Sequence, residues 1–146
     1  MTYNKNNFTQ SLHIPALAPL PASASITDMF SYYRREKARD RRLAHSIDAC
    51  SGAADIDALR RALDAREAAL SPIGAQISDA IVRLPSINAQ LALELRYLEC
   101  LTVSETASEM RYSRSGVQKL IHRSLRQLRM LESPSHSKNK QEESDS

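Results

Sequence analysis

The sequence predicts an all-α protein: a helical hairpin or coiled-coil arm, then three shorter helices, between disordered termini. Three observations predict it. Glycine is scarce, at three in 146 residues, and tryptophan is absent. Ala, Leu, Arg, Glu, Ser and Ile dominate, a balance that favours helix over sheet. Apolar residues recur at spacings of three and four through the middle of the chain. The length allows one domain, or one small domain with an extended arm.

The leader, residues 1–25, is polar and then rich in Pro, Ala and Ser. It has little periodic hydrophobicity and is expected to be disordered or loosely attached. Its "LHIPALAPLPASAS" imitates the end of a signal peptide, with Ala22-Ser23-Ala24 as a cleavage site. Pro15, Pro19 and Pro21 break the apolar run and only Lys5 precedes it, so export is rejected. No apolar run approaches the roughly 20 residues that span a bilayer.

The arm, residues 26–84, opens with a helix that Thr27 or Ser25 can cap and that runs to about Cys50. Its apolar positions are Met29, Tyr33, Leu43, Ile47 and Cys50. The charged block "RREKARDRR" in its middle is read as exposed surface, with Glu36 and Asp40 interrupting the basic residues, and a second DNA or RNA-polymerase contact as the lesser reading. Tyr32 and Tyr33 are read as packing residues. "CSGAAD" supplies a turn, with Gly52 as breaker and Asp55 as N-cap.

The second helix carries Ile56, Leu59, Leu63, Arg66, Leu70, Ile73, Ile77, Ala80 and Leu84, an a/d seam weakened at Arg66. Ser71-Pro72 lies inside it. Either the helix kinks or Ser71 caps a new one, and the continuous register favours a kink. The seam on the first helix is too sparse to satisfy the second. The hairpin is therefore expected to pack on a second copy or another protein, making a homo-oligomer.

Pro85 ends the arm, and Ser86 can cap the next helix. In "SINAQLALELRYLECL", Ile87, Leu91, Leu95, Leu98 and Leu101 lie on or near one face. Thr102-x-x-Glu105 is a capping box for a short helix whose inner residues are Val103, Ala107 and Met110. Arg111-Tyr112-Ser113 breaks it. Ser113 can cap a third helix with Val117, Leu120 or Ile121, Ser124 and Leu128 inward. Tyr97 and Tyr112 are expected to pack in this unit. A short helix, a three-residue turn and a longer basic helix make a helix-turn-helix, here over residues 85–132.

The net charge is only +3, but its distribution matters more than its size. From Met110 to Leu131 there is no Asp or Glu. The outer face of the third helix presents Arg114, Ser115, Gln118, Lys119, His122 and Arg126, the residue types that meet base edges and phosphates. With Arg111, Ser113 and Arg123 they form the candidate DNA-binding set. The helix N-terminus adds free N–H groups that suit phosphate. A misplaced carboxylate against the DNA polyanion would repel, which accounts for the missing acids.

"LELRYLECLTVSETASEMRYSRSGVQKLIHRSLRQLR" resembles the helix-turn-helix of sigma factor region 4. Its "L-x-L-R-Y", "T-x-x-E-x-A", "S-R-x-x-V" and "R-x-L-x-x-L-R" fall in the family's order. "ISDAIVRLPSINAQLALELRYLECLT" and "YSRSGVQKLIHRSL" are similar to phage late-transcription regulators of the ArpU/RinA type. The resemblance covers roughly Ile77 to Arg129. It implies late-gene activation with host RNA polymerase in the cytoplasm of a bacterial cell. There are departures. Arg111 stands at the turn position where the family usually has Gly, Thr106-Ala107 replaces an Ile-Ala pair, and Gly116 sits inside the recognition helix at a cost of about 1 kcal/mol against Ala.

Two rival functions share these features. A phage small terminase-type packaging subunit would also join a helix-turn-helix to a coiled coil. A helical adaptor would use the basic face to bind an acidic protein. No enzyme is indicated: there is no nucleophile paired with a base, no phosphate loop and no cluster of carboxylates. No cofactor is expected. Cys50 and Cys100 stand alone and the four His lack ligand spacing, so both thiols are expected reduced and no metal site is expected.

Residues 133–146, "SPSHSKNKQEESDS", cannot bury enough apolar surface to offset their ordering entropy and are expected to form a disordered tail.

Overall fold

A computed structural model describes residues 13–49 and 56–132. The tail, Cys50, and the turn with Gly52 and Asp55 lie outside the described residues. The described residues form five α-helices in order: α1 (Ile26–Ala49), α2 (Ile56–Ile81), α3 (Ile87–Leu93), α4 (Val103–Met110) and α5 (Arg114–Glu132). A π-helical segment, Glu94–Leu98, extends α3. The described residues contain no strand.

Ser25 starts α1. Its Oγ accepts from the Asp28 N–H at 3.1 Å, and Asp28 Oδ2 accepts from the Ser25 N–H at 3.1 Å. Each side chain thus satisfies a donor the helix start leaves open. α2 runs unbroken through Pro72, so the helix continues and Ser71 does not begin a new one.

α1 and α2 are antiparallel. Arg60 meets Asp48, Arg66 meets Asp40 and Glu36, and Gly74 faces Tyr33. Gly74 lets Tyr33 lie close, because an added Cβ would stand 2.8 Å from Tyr33 Oη and the ring would have to shift.

The charged block is not an exposed surface throughout. Glu36 is 1% exposed and Asp40 2%. Arg66, the weak point of the α2 seam, is buried between them. Its Nη2 donates to Glu36 Oε1 at 2.6 Å and its Nε to Asp40 Oδ1 at 2.6 Å. Burial alone would lower the Arg66 pKa, but the hydrogen bonds it donates to Asp40 and Glu36, and their charges, outweigh it and hold the guanidinium above its ordinary value. Counting only apolar residues left the α1 seam looking sparse. Two acids at i,i+4 fill the gap and face the one cation opposite.

Part of the leader is also more ordered than its composition suggested. Residues 13–25 lie against the hairpin, with Leu17 and Leu20 packed on the core. Pro15 O accepts from Arg66 Nη1 at 2.8 Å and Ala18 O from the Tyr32 hydroxyl at 2.5 Å. A buried cation with a spare donor, and a buried phenol, both need acceptors. The leader backbone supplies them.

One hydrophobic core runs through hairpin and C-terminal unit. It includes Phe30, Leu70, Ile77, Ile81, Leu84, Leu93, Tyr97, Val117 and Leu128. Phe30 of α1 meets Tyr97 of the π segment edge to face, with centroids 5.4 Å apart. At the far end Glu132 Oε1 accepts from the Ile26 N–H at 3.2 Å.

α3 turns a different face inward from the one its leucines suggested. Ala89, Ala92 and Leu93 are buried, while Ile87 is 78% and Leu91 39% exposed. Apolar residues lie on both sides of the polar Asn88 and Gln90, so spacing alone could not choose the face. It packs against α5, and the two small alanines allow that approach. Leu95 and Tyr97 are buried; Leu98 and Leu101 are half-buried.

Candidate nucleic-acid interface

The interface is built from two helix starts and the turn between them. At α4, Thr102 Oγ1 accepts from the Glu105 N–H at 3.0 Å, and Glu105 Oε1 accepts from the Thr102 N–H at 2.9 Å. The expected capping box is present. Thr106 is fully buried, but its hydroxyl donates to Thr102 O at 2.8 Å, so the polar core position is satisfied.

Arg111 closes α4 in the left-handed conformation, with φ 59° and ψ 40°. The turn therefore keeps a geometry that glycine adopts freely, with Arg in its place. Its N–H donates to Ser108 O at 3.2 Å and the Tyr112 N–H to Ala107 O at 2.9 Å. Tyr112 does not pack in the unit as expected. It is 37% exposed, beside Gly116 at the open edge of the turn.

Ser113 caps α5: its Oγ accepts from the Gly116 N–H at 2.9 Å. A Cβ on residue 116 would come within 3.0 Å of that oxygen, so Gly116 leaves room for the cap. Val117, Ile121, Ser124 and Leu128 form the buried stripe, with Ile121 rather than Leu120 facing in. The Ser124 hydroxyl donates to Leu120 O at 2.7 Å. Ala107, 5% exposed, and Val117, fully buried, mark the close α4–α5 crossing.

The opposite face carries the candidate residues. Arg111, Ser113, Arg114, Ser115, Gln118, Lys119, His122, Arg123 and Arg126 are all exposed. At about 100° per residue, the residues from Gln118 to Arg126 occupy an arc of about 140° centred opposite the buried stripe. Gln118, Lys119, His122, Arg123 and Arg126 line one open depression. No carboxylate lies within ion-pair distance of them among the described residues. The face has donors for phosphate and guanine, and in Gln118 a paired donor and acceptor for adenine.

Sequence reasoning passed over Arg96. It is half-buried and shares a groove with Gln118 and His122 of α5. Its Nη1 donates to Leu101 O at 2.9 Å. Burial first, and the charge of Arg34 second, lower its pKa from the ordinary value. The available signal was a lone cation inside the apolar run "LELRYL".

Cys100 carries a free thiol at φ 61°. Among the described residues no three His, Cys, Asp or Glu are grouped to hold a metal ion, and no helix is long and apolar enough to cross a membrane.

Residues 75–128 match the family model for sigma-70, region 4, a little over a third of the chain. The matched stretch holds the end of α2, the π segment, both helices of the motif and nearly all of the basic face. The C-terminal unit is therefore a sigma-like helix-turn-helix, a motif of DNA-binding type. No curated protein and no solved structure matches the chain.

Proposed function

We propose that this protein is a sequence-specific DNA-binding transcription regulator of a phage or prophage, activating late genes together with host RNA polymerase. The observation that carries the reading is the exposed, acid-free face of α5 on a sigma-like helix-turn-helix. Lys and Arg on such a face release counterions from DNA, and polar side chains near the helix start select bases. The phage late-gene assignment rests on the motifs similar to ArpU/RinA-type regulators. Its site of action would be the host cytoplasm. Engagement of RNA polymerase would fall to the helical arm. Self-association through the arm is part of the same proposal.

Fluorescence anisotropy tests it. The purified protein would meet a duplex from upstream of late or packaging genes in its own genome and a scrambled duplex, across a salt series. A roughly tenfold or larger preference for the native duplex, surviving near 150 mM salt, is the expected result. Equal binding that collapses with salt would favour the packaging subunit, whose many-copy ring would show as mass in solution. No binding to either duplex would overturn the DNA reading and leave the acidic-protein adaptor.

A further inference from the structure

Three arginines stand in a row beside the recognition unit. Arg34 and Arg41 belong to α1 and are seven residues apart, so they share a face and are separated by about 10 Å. Arg34 Nε donates to Arg96 O at 3.2 Å, and Arg41 Nη2 donates to Glu99 O at 3.1 Å. Arg96 itself donates to Leu101 O and borders Gln118 and His122 of α5. The row thus begins on the arm, crosses the end of the π segment and reaches the recognition helix.

None of the three has a carboxylate partner within 4 Å among the described residues. Glu94 and Glu99 lie on the same segment, yet neither forms an ion pair with them. Each guanidinium is held by a neutral backbone carbonyl, which orients it and leaves its charge uncompensated. Arg carries five N–H donors in a planar fork, so donors remain for another acceptor. The arm's acids cannot neutralise the row, because Glu36 and Asp40 are buried against Arg66 on another face of α1. Like charges gathered without counter-charges next to a nucleic-acid face suit a polyanion.

We propose that the arm takes part in the DNA interface, with Arg34 and Arg41 extending the cationic row from Arg96 onto the phosphate backbone beyond the bases that α5 meets. The span of about 10 Å equals the rise of about three base pairs. Phosphate contacts of this kind fix the register and orientation of a protein on the duplex and carry no base preference. This inference rests on the DNA reading of α5, but it concerns a part of the chain outside the sigma-like match.

The test uses the full chain, with Arg34→Gln/Arg41→Gln compared with Arg35→Gln. Arg35 is exposed on the same helix and lies over the Tyr32 ring, off the row. Affinities for native and scrambled duplexes would be measured from 50 to 300 mM salt. In the double variant the slope of log affinity against log salt is expected to fall by about two, with about tenfold weaker binding to both duplexes. Arg35→Gln should match the wild type. An unchanged slope in a folded double variant would overturn the proposal. Phosphate-ethylation interference on the wild-type complex is a second readout that needs no variant. Interference several base pairs outside the α5 footprint supports the arm contact, and interference confined to that footprint refutes it. Failure of the wild type to bind any duplex would instead refute the underlying DNA reading.

Discussion

At the scale of single residues, Arg66 and Arg111 hold unusual positions for opposite reasons. Arg66 is a cation in an apolar seam, answered by two carboxylates and one carbonyl. Arg35 also stands 4.0 Å from Glu36 Oε2, at the edge of the set, and Asp40 Oδ2 has no hydrogen-bond partner among the described residues. Removing one member of such a set strands the others without compensation. Arg66→Met should lower unfolding free energy by about 3–5 kcal/mol in urea titrations. Replacing Arg66, Glu36 and Asp40 together with Leu or Met should recover most of that loss. Arg111 is strained by its own Cβ in the left-handed region. Arg111→Gly should raise stability by about 1 kcal/mol in thermal melts, while weakening DNA binding through loss of one cation. The resemblance placed Arg111 at a turn position where the family usually has Gly, and the left-handed conformation is kept there. The sequence did not show that Glu36 and Asp40 are interior, because a periodicity counted on apolar residues treats every acid as surface.

At the scale of elements, α4 and α5 were legible almost residue by residue. Their caps are side chains with one physical role, Thr102 with Glu105 and Ser113 with the Gly116 amide, and such roles can be recognised from spacing. Thr102→Ala should cost about 1 kcal/mol of stability. Arg114→Ala and Lys119→Ala should each weaken DNA binding by about 1–3 kcal/mol, and Arg35→Ala by less. Equal losses at all three positions in anisotropy titrations would count against α5 as the recognition helix. α3 was legible as a helix but not in its orientation. Apolar residues point to several sides of α3, with Asn88 and Gln90 between them, so the face it buries is chosen by its neighbours' shapes, which a linear sequence does not display. The same holds for the leader: Leu17 and Leu20 pack on the core without forming a period, and the carbonyls of Pro15 and Ala18 that accept from Arg66 and Tyr32 leave no side-chain signature.

At the scale of the whole molecule, the hairpin, the leader segment and the sigma-like unit stabilise one another through a common core. Deleting residues 1–22 would expose the surface under Leu17 and Leu20 and remove two hydrogen bonds to buried groups. A loss of about 2–4 kcal/mol is expected, measured as a lower denaturation midpoint for the entire chain rather than a separate transition of the arm. Alkaline titration offers a second test. Burial is the first cause that raises the pKa values of Tyr32, Tyr33 and Tyr97. The unfolded phenols ionise from about pH 10, whereas the folded ones resist ionisation above it. Their contribution should be fully present below about pH 10 and should be lost as pH rises from there through the folded values. Denaturant midpoints from pH 8 to 11 should stay level and then fall.

The π segment between Leu93 and Glu99 has a consequence for how this unit compares with others. Glu99 N–H donates to Glu94 O at 2.9 Å, a bond that spans five residues where an α-helix spans four. The segment is a wider final turn at the C-terminal end of α3, taking one residue more per hydrogen-bonded turn than an α-helix would. A counterpart with an unbroken α-helix here would align only by leaving one position of this chain unmatched near Glu94–Leu98. Forcing the two into a gapless alignment would misplace every residue on one side of the wide turn by one, about 100° of helix rotation. Residue-by-residue transfer of a DNA-contact pattern is therefore safest when anchored downstream of the wide turn, at the Thr102–Glu105 cap.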